Sequence, residues 1–270
     1  MVSVHVISLD PAGVSCGLVI GEERCLIVDA GPGPAAARHL IDRVAALSEH
    51  EHGIVPPVDL VLTHDHWDHF FGAAALLAAG VETVHASSSF SADQEATAWI
   101  ALDEVRSGED LGDGASARWL AQLPEDPGAL VVPVSPVDET PGDVGSLDLG
   151  DCAVEFHVLG GHSTADLVVR LPEAGIVFAG DLIEEGAPPQ AGPDAALSHW
   201  ADSLRTLLSF TEAEVFVPGH GVPVDRAFVR RQLEDIDGLR MRQDEGDVAL
   251  PTRAVPGSPD RSIPREVRLF

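Results

Sequence analysis

The chain has no tyrosine and no lysine, so all 16 of its basic residues are arginine, set against 44 aspartates and glutamates. A net charge of −28 repels phosphate backbones and anionic lipid headgroups. No basic run supplies a local exception, which excludes nucleic acid and membrane as expected partners and leaves a small-molecule substrate. Cysteine is also scarce. Cys16, Cys25 and Cys152 are odd in number and form no C-x-x-C pair, which speaks against a disulfide framework and a thiolate zinc site and for a reducing, cytoplasmic setting. No stretch approaches the roughly 20 apolar residues of a membrane span, and the start "MVSVHVISLDPAG" lacks the basic and apolar regions of a secretory signal. A Lys-free, Ala- and Gly-rich composition fits GC-rich coding, or salt adaptation. Although aromatics make up only 5%, hydrophobic residues make up 45% of 270, enough to bury the core of one large domain.

Short β-like runs come first, "VSVHVISL", "VSCGLVIG" and "RCLIVDAG", separated by turn material that suits an antiparallel meander. The period then changes: residues 34–47 carry Pro near the start and apolar residues at helical spacing, followed by a loop "SEHEHGIVPP" and the run "VDLVLTH". Helix and strand signals alternate through "FFGAAALLAAG" and "VETVHAS". Residues 91–123 read as a helical insertion with a Gly/Asp-rich break. A second group of strands, "SLDLGD", "CAVEFHVLG", "ADLVVRL" and "GIVFAGD", leads to a helix over 198–210, a strand "AEVFVPG" and a helix over about 225–242. Two halves that echo each other in this way predict an α/β domain over 1–242, two sheets face to face with helices outside, a four-layer αβ/βα sandwich. Residues 243–270 read as an extended tail with little core of its own.

Three histidines and two aspartates crowd into "THDHWDH" after an apolar strand signal. In an extended segment residues two apart share a side, so His64 and His66 are expected to project together while Asp65 and Trp67 face away, with Asp68 and His69 at the turn into the next helix. Neutral imidazole and carboxylate are ligands for zinc and for other divalent metals. One isolated histidine would read as a solvated polar residue; H-x-H-x-D-H converges several ligand types at once. Three downstream strand ends match it: "VLGGHS" with His162, "VFAGD" with Asp181 and "VFVPGH" with His220, each preceded by glycine that permits a tight turn.

With these motifs the sequence resembles the metallo-β-lactamase-fold hydrolase superfamily, from "VDAG" at residues 28–31 to "PGHG" at residues 218–221. The resemblance implies a binuclear metal cleft, with His64, His66 and His162 on one ion, Asp68, His69 and His220 on the other, and Asp181 bridging. It also implies that Asp29 bonds a ligand histidine and fixes its orientation; on the residues alone, Asp29 reads equally as a turn residue before Gly31. "GGHSTAD" departs from the Thr-Pro-Gly that many relatives carry around the third histidine. Neither the tyrosine of some lactonases nor the lysine with which some β-lactamases hold a substrate carboxylate has a counterpart here.

The expected chemistry is metal-dependent hydrolysis, in which a metal-bridged hydroxide oriented by Asp68 attacks a thioester, lactone or β-lactam-like carbonyl, with two divalent ions, zinc before iron or manganese, as cofactors. The alternative is an iron-dependent redox enzyme of the same fold, a dioxygenase or di-iron protein, since the same ligands suit iron. A nuclease is opposed by the acidic composition. A non-catalytic module would be expected to have lost ligands. The loop at residues 184–196 and the insertion at 91–123 are expected to wall the cleft.

Overall fold

The computed structural model describes residues 2–107, 114–138, 144–241, 250–251, 253–255 and 266–270. Its elements follow the order β1 Ser3–Leu9, β2 Val14–Ile20, β3 Cys25–Val28, α1 Pro34–His52, β4 Val58–Val61, α2 Trp67–Phe70, α3 Ala73–Ala78, β5 Thr83–Ser87, α4 Ser88–Ser107 and α5 Gly114–Leu120. The second half continues with β6 Ser135–Val137, β7 Gly145–Asp148, β8 Ala153–Val158, β9 Leu167–Leu171, β10 Ile176–Glu184, α6 Leu197–Ser209, β11 Val215–His220, α7 Arg226–Met241 and β12 Glu266–Arg268.

Period-2 alternation explains the layers. On β3, Cys25 and Ile27 face a core shared with the helices, while Leu26 and Val28 face a core between the sheets. On β10, Ile176 and Phe178 enter that inter-sheet core, whereas Val177 and Ala179 turn to the helices on the far side. Strands apolar on both faces must be covered on both. Helices α1, α3 and α4 cover one sheet and α6 and α7 the other, which is the αβ/βα sandwich. On α6, Trp200, Ala201, Leu204 and Leu207 are buried at helical spacing, and the indole Nε1–H of Trp200 donates to Leu182 O at 2.9 Å.

The two sheets join in one hydrogen-bonded path, β6-β5-β4-β3-β2-β11-β10-β9-β8-β7. Strands β3 to β6 run parallel, as do β10 and β11. The seam between β2 and β11 is the pair Val14 and His220. Ligand sites of such sheets lie beyond the carboxyl ends of parallel strands, and here those ends meet at the seam.

Two boundaries differ from the sequence reading. Helix α1 runs on through "SEHEH" to His52, because those residues tolerate a helix and the stop comes only at Gly53, which takes the left-handed C-terminal position at φ 74°. The stretch 243–270 is not simply a tail: Leu250 is buried against the α6 and α7 core, and β12 pairs antiparallel with β1. Glu266 of β12 is gripped by both ends of the Arg43 guanidinium at 2.8 and 2.7 Å. A three-residue, exposed edge strand held by its ladder to β1 and by ion pairs leaves little hydrophobic pattern to read. No helix among the described residues is long and apolar enough to cross a membrane.

Candidate metal centre

Strand β4 ends at Val61, and residues 62–66 bend before α2 opens at Trp67. His64, His66, Asp68 and His69 all reach the centre as expected. Asp65 turns away, toward α4, where Thr97 Oγ1 donates to its Oδ2 at 3.3 Å; burial pushes its carboxyl above the ordinary range. Trp67 does not simply face away, because it begins a helix rather than continuing a strand. Its ring lies 4.8 Å from that of Trp119, and it also lines the cleft.

The second half supplies three residues by different devices. His162 sits in the loop between β8 and β9, shaped by the buried Asp166, which accepts from His162 N at 2.7 Å, Ser163 N at 2.9 Å and Ser163 Oγ at 3.0 Å. Burial raises Asp166 to about 7 even so. Asp181 lies within β10 rather than at its end, where the ladder to β11 shifts register around Gly180 at φ 53°. That bulge re-aims the side chain. Gly219 leaves the room: a Cβ there would stand 1.7 Å from Asp181 Oδ1. His220 ends β11 at the seam.

Seven residues fall into two groups, His64, His66, His162 and Asp181, and Asp68, His69 and His220, with the facing atoms of each group within 4.8 Å of one another. Asp181 reaches both. Its carboxylate lies 3.8 Å from His64 Nε2, 3.7 Å from His162 Nε2, 3.2 Å from His69 Nε2 and 3.5 Å from His220 Nε2. His220 Nε2 also lies 3.2 Å from Asp68.

The outer nitrogen of each of four imidazoles is engaged, which fixes its tautomer. His69 Nδ1–H donates to Asp29 Oδ2 at 2.8 Å. The same carboxylate accepts from Thr63 N at 2.8 Å and Thr63 Oγ1 at 2.9 Å, so the Thr63 hydroxyl is left to accept from His64 Nδ1–H at 3.1 Å. His162 Nδ1–H donates to Gln190 O at 3.0 Å, and His66 Nε2–H to Asp194 Oδ2 at 3.1 Å. In the neutral tautomers so fixed, the inner nitrogen of each of these four turns a lone pair inward. His66 Nδ1 and His162 Nε2 stand 3.0 Å apart, a separation that needs a proton or a cation to hold it.

The charges of the metal-free centre follow. Burial and the neighbouring imidazole of His69 hold His64 well below its ordinary value, and burial brings His162 down to about 4. Burial also opposes protonation of His66, His69 and His220, but carboxylates win there. Asp194 and Asp181 bring His66 to about 9, Asp181, Asp29 and Asp68 hold His69 well up, and Asp181 and Asp68 bring His220 to about 10. Asp181, though buried, is held low by His220 and His69. Even so, His64 Nε2, His69 Nε2 and Asp181 Oδ1 are buried without a hydrogen bond. Such orphaned groups are rare unless something binds them. These histidines and aspartates are positioned to bind metal.

The centre opens into a cleft of about 390 Å³ whose lining includes Trp67, Glu104, Glu184 and Gln190. Both expected walls therefore contribute, α4 through Glu104 and the 184–196 loop through Gln190. Sequence reasoning missed Thr63, Asp166, Gln190 and Asp194. Only Thr63, beside the motif, and Asp166, in "GGHSTAD", carried a local signal.

A sequence model of the metallo-beta-lactamase superfamily matches residues 9–220, a span that includes every expected site residue. The chain belongs to this superfamily. Among superfamily relatives, an acyl-coenzyme A thioesterase MBLAC2 from Gallus gallus is 30% identical over 210 residues, covering 75% of this chain and 70% of that protein. A metallo-beta-lactamase type 2 from Bacillus sp. (strain 170) is 25% identical over 227 residues, 82% of this chain and 72% of that one. In fold the chain matches the metallo-beta-lactamase from Pontibacter korlensis with a TM-score of 0.58 at 21% identity, over 87% of this chain and 94% of that one. The DIM-1 metallo-beta-lactamase matches with a TM-score of 0.60 at 20% identity, over 87% and 93%.

Proposed function

We propose that the protein is a binuclear zinc hydrolase acting on thioesters or lactones, with β-lactams as poorer substrates. The observation that carries this reading is the sharing of Asp181 between two groups of inward-facing donors at the floor of one cleft. His64, His66 and His162 would hold one ion, Asp68, His69 and His220 the other, and Asp181 would contribute to both. When bound, the pair of divalent ions supplies Lewis acidity toward a carbonyl oxygen and an activated water at neutral pH.

The chain's own residues do the rest. Asp68 lines the cleft beside Asp181 and His220 and orients the attacking water. Asp29 and Thr63 keep His69 and His64 in the tautomer whose Nε2 faces inward. Trp67 and Gln190 form walls that exclude water from the bound substrate. The ranking of substrates is supported by the thioesterase named among the relatives, and by a cleft whose described lining has no lysine or arginine to hold a β-lactam carboxylate.

The test is a screen of the zinc-loaded protein against a thioester, an aliphatic lactone, a chromogenic β-lactam and a phosphodiester. The expected result is turnover of the thioester or lactone well ahead of the other two. Preferential turnover of the phosphodiester would overturn the reading.

A further inference from the structure

Apart from its metal-facing donors, the cleft offers a substrate, among the described residues, a short set of contacts: Trp67, Gln190, Ala12, Glu184 and Glu104. Glu184 is buried and accepts from Gln190 N at 2.8 Å, so it belongs to the frame of the loop. Glu104 is different. It is exposed on α4, and its carboxylate has no ion pair or hydrogen bond among the described residues. It therefore stands at one wall of the cleft with Trp67 as an aromatic neighbour in the same lining.

An aromatic face and an unpaired carboxylate are the two groups that recognise an organic cation, the ring through its quadrupole and the carboxylate through charge. Among the described residues no lining residue is arginine, and the chain has no lysine. Among the described lining residues four carboxylates, Asp68, Glu104, Asp181 and Glu184, match the charge of two divalent cations, so they leave no net positive field to draw in an anion. A net charge of −28 extends the same preference to the approach of the substrate.

Resting on the hydrolase reading above, we propose that the substrate is an ester-like carbonyl compound bearing an amine or quaternary ammonium group, with Glu104 as the specificity-determining residue and Trp67 as the face against which the cation packs. The carbonyl end lies at the metal centre and the cationic end at the α4 wall. Hydrolysis breaks the acyl bond by addition of one water, giving the acid and the thiol or alcohol, and the cationic group takes no part in the bond changes.

Two measurements on the zinc-loaded full chain test this. In the first, acetylthiocholine is compared with its neutral 3,3-dimethylbutyl thioacetate isostere and with the thioacetate of 3-mercaptopropionate. The expected order of kcat/KM is cationic, neutral, anionic, and Glu104→Gln is expected to lower the cationic-to-neutral ratio about fivefold while leaving the neutral substrate unchanged. In the second, choline is titrated calorimetrically. It is expected to bind the native protein and to bind Glu104→Gln about fivefold more weakly, whereas 3,3-dimethylbutanol binds both alike and more weakly than choline binds the native protein. A native preference for the anionic thioester, or choline binding that Glu104→Gln leaves unchanged, overturns the proposal. Choline binding with that Glu104 dependence, in a protein that hydrolyses no carbonyl compound, sinks the hydrolase reading and keeps the cation site.

Discussion

His64 and His69 are held from behind by Thr63 and Asp29, buried groups at the ends of β4 and β3, whereas His66 and His162 are held by Asp194 and Gln190 on the 184–196 loop. The first support is fixed by two parallel strands, and its atoms are bonded to one another as well as to the histidines. The second is partly open to water, with the His66 and Asp194 side chains 34% and 41% exposed. Identical imidazole chemistry thus rests on a buried frame on one side and on a partly exposed loop that also walls the cleft on the other. Buried hydrogen-bonded support is costly to break, while exposed ion pairs are worth little in stability but still set the direction of a ring.

The largest effect should come from the residue common to both sides. Asp181→Ala is expected to abolish turnover and weaken both metals, measured by activity and by elemental analysis after gel filtration; full activity with two metals retained would break the account of a shared carboxylate. Asp29→Ala comes next. It strands Thr63 N, Thr63 Oγ1 and His69 Nδ1 in a buried site, and each unsatisfied group costs about 1–3 kcal/mol, so the melting temperature should fall together with metal affinity.

Asp194→Ala should separate the two supports. Chelator competition is expected to show one metal weakened about 10- to 100-fold, with thermal unfolding nearly unchanged because the pair is exposed. Equal weakening of both metals would mean that the loop is not confined to one side. A smaller effect is expected from pH. In the metal-free protein His66 and His220 have folded pKa values raised to about 9 and about 10. Their contribution to stability is fully present below the unfolded value near 6.5 and is lost as pH rises through 9 to 10. Zinc must displace those protons, so its affinity should increase with pH over the same window. Melting curves across pH with and without zinc should diverge, the metal-free protein losing stability over this window while the zinc-loaded one stays level. Last, His50→Ala, exposed in the final turn of α1, should change neither metal content nor activity, which marks the frame as specific.

The inward-facing residues are more legible in the sequence than the groups that hold them. His64, His66, Asp68 and His69 lie within one motif, so a local pattern announces them, and His162, Asp181 and His220 each follow a glycine near an apolar strand. Asp29 was legible only as one of two readings, since nothing in "VDAG" says that β3 and β4 run parallel and bring Thr63 to it. Asp194 and Gln190 had no signal at all. Their roles depend on how a Pro- and Gly-rich loop returns over β8 and β9, which is set by tertiary packing, such as the bond from Ala196 N to Gly161 O at 2.8 Å. Asp181 reads from the sequence as a strand-end residue because the register shift around Gly180 cannot be seen without its partner strand. The four layers followed from alternation, whereas β12 did not, because Glu266–Arg268 is exposed and held by Arg43 rather than by burial.

The measurement that bears most directly on the central claim is metal content per chain in fully active protein, by elemental analysis alongside native mass spectrometry. The account predicts close to two equivalents, predominantly zinc, both lost in Asp181→Ala. About one iron and no zinc in fully active protein would contradict it, and would make the centre that of an iron-dependent redox enzyme on the same fold.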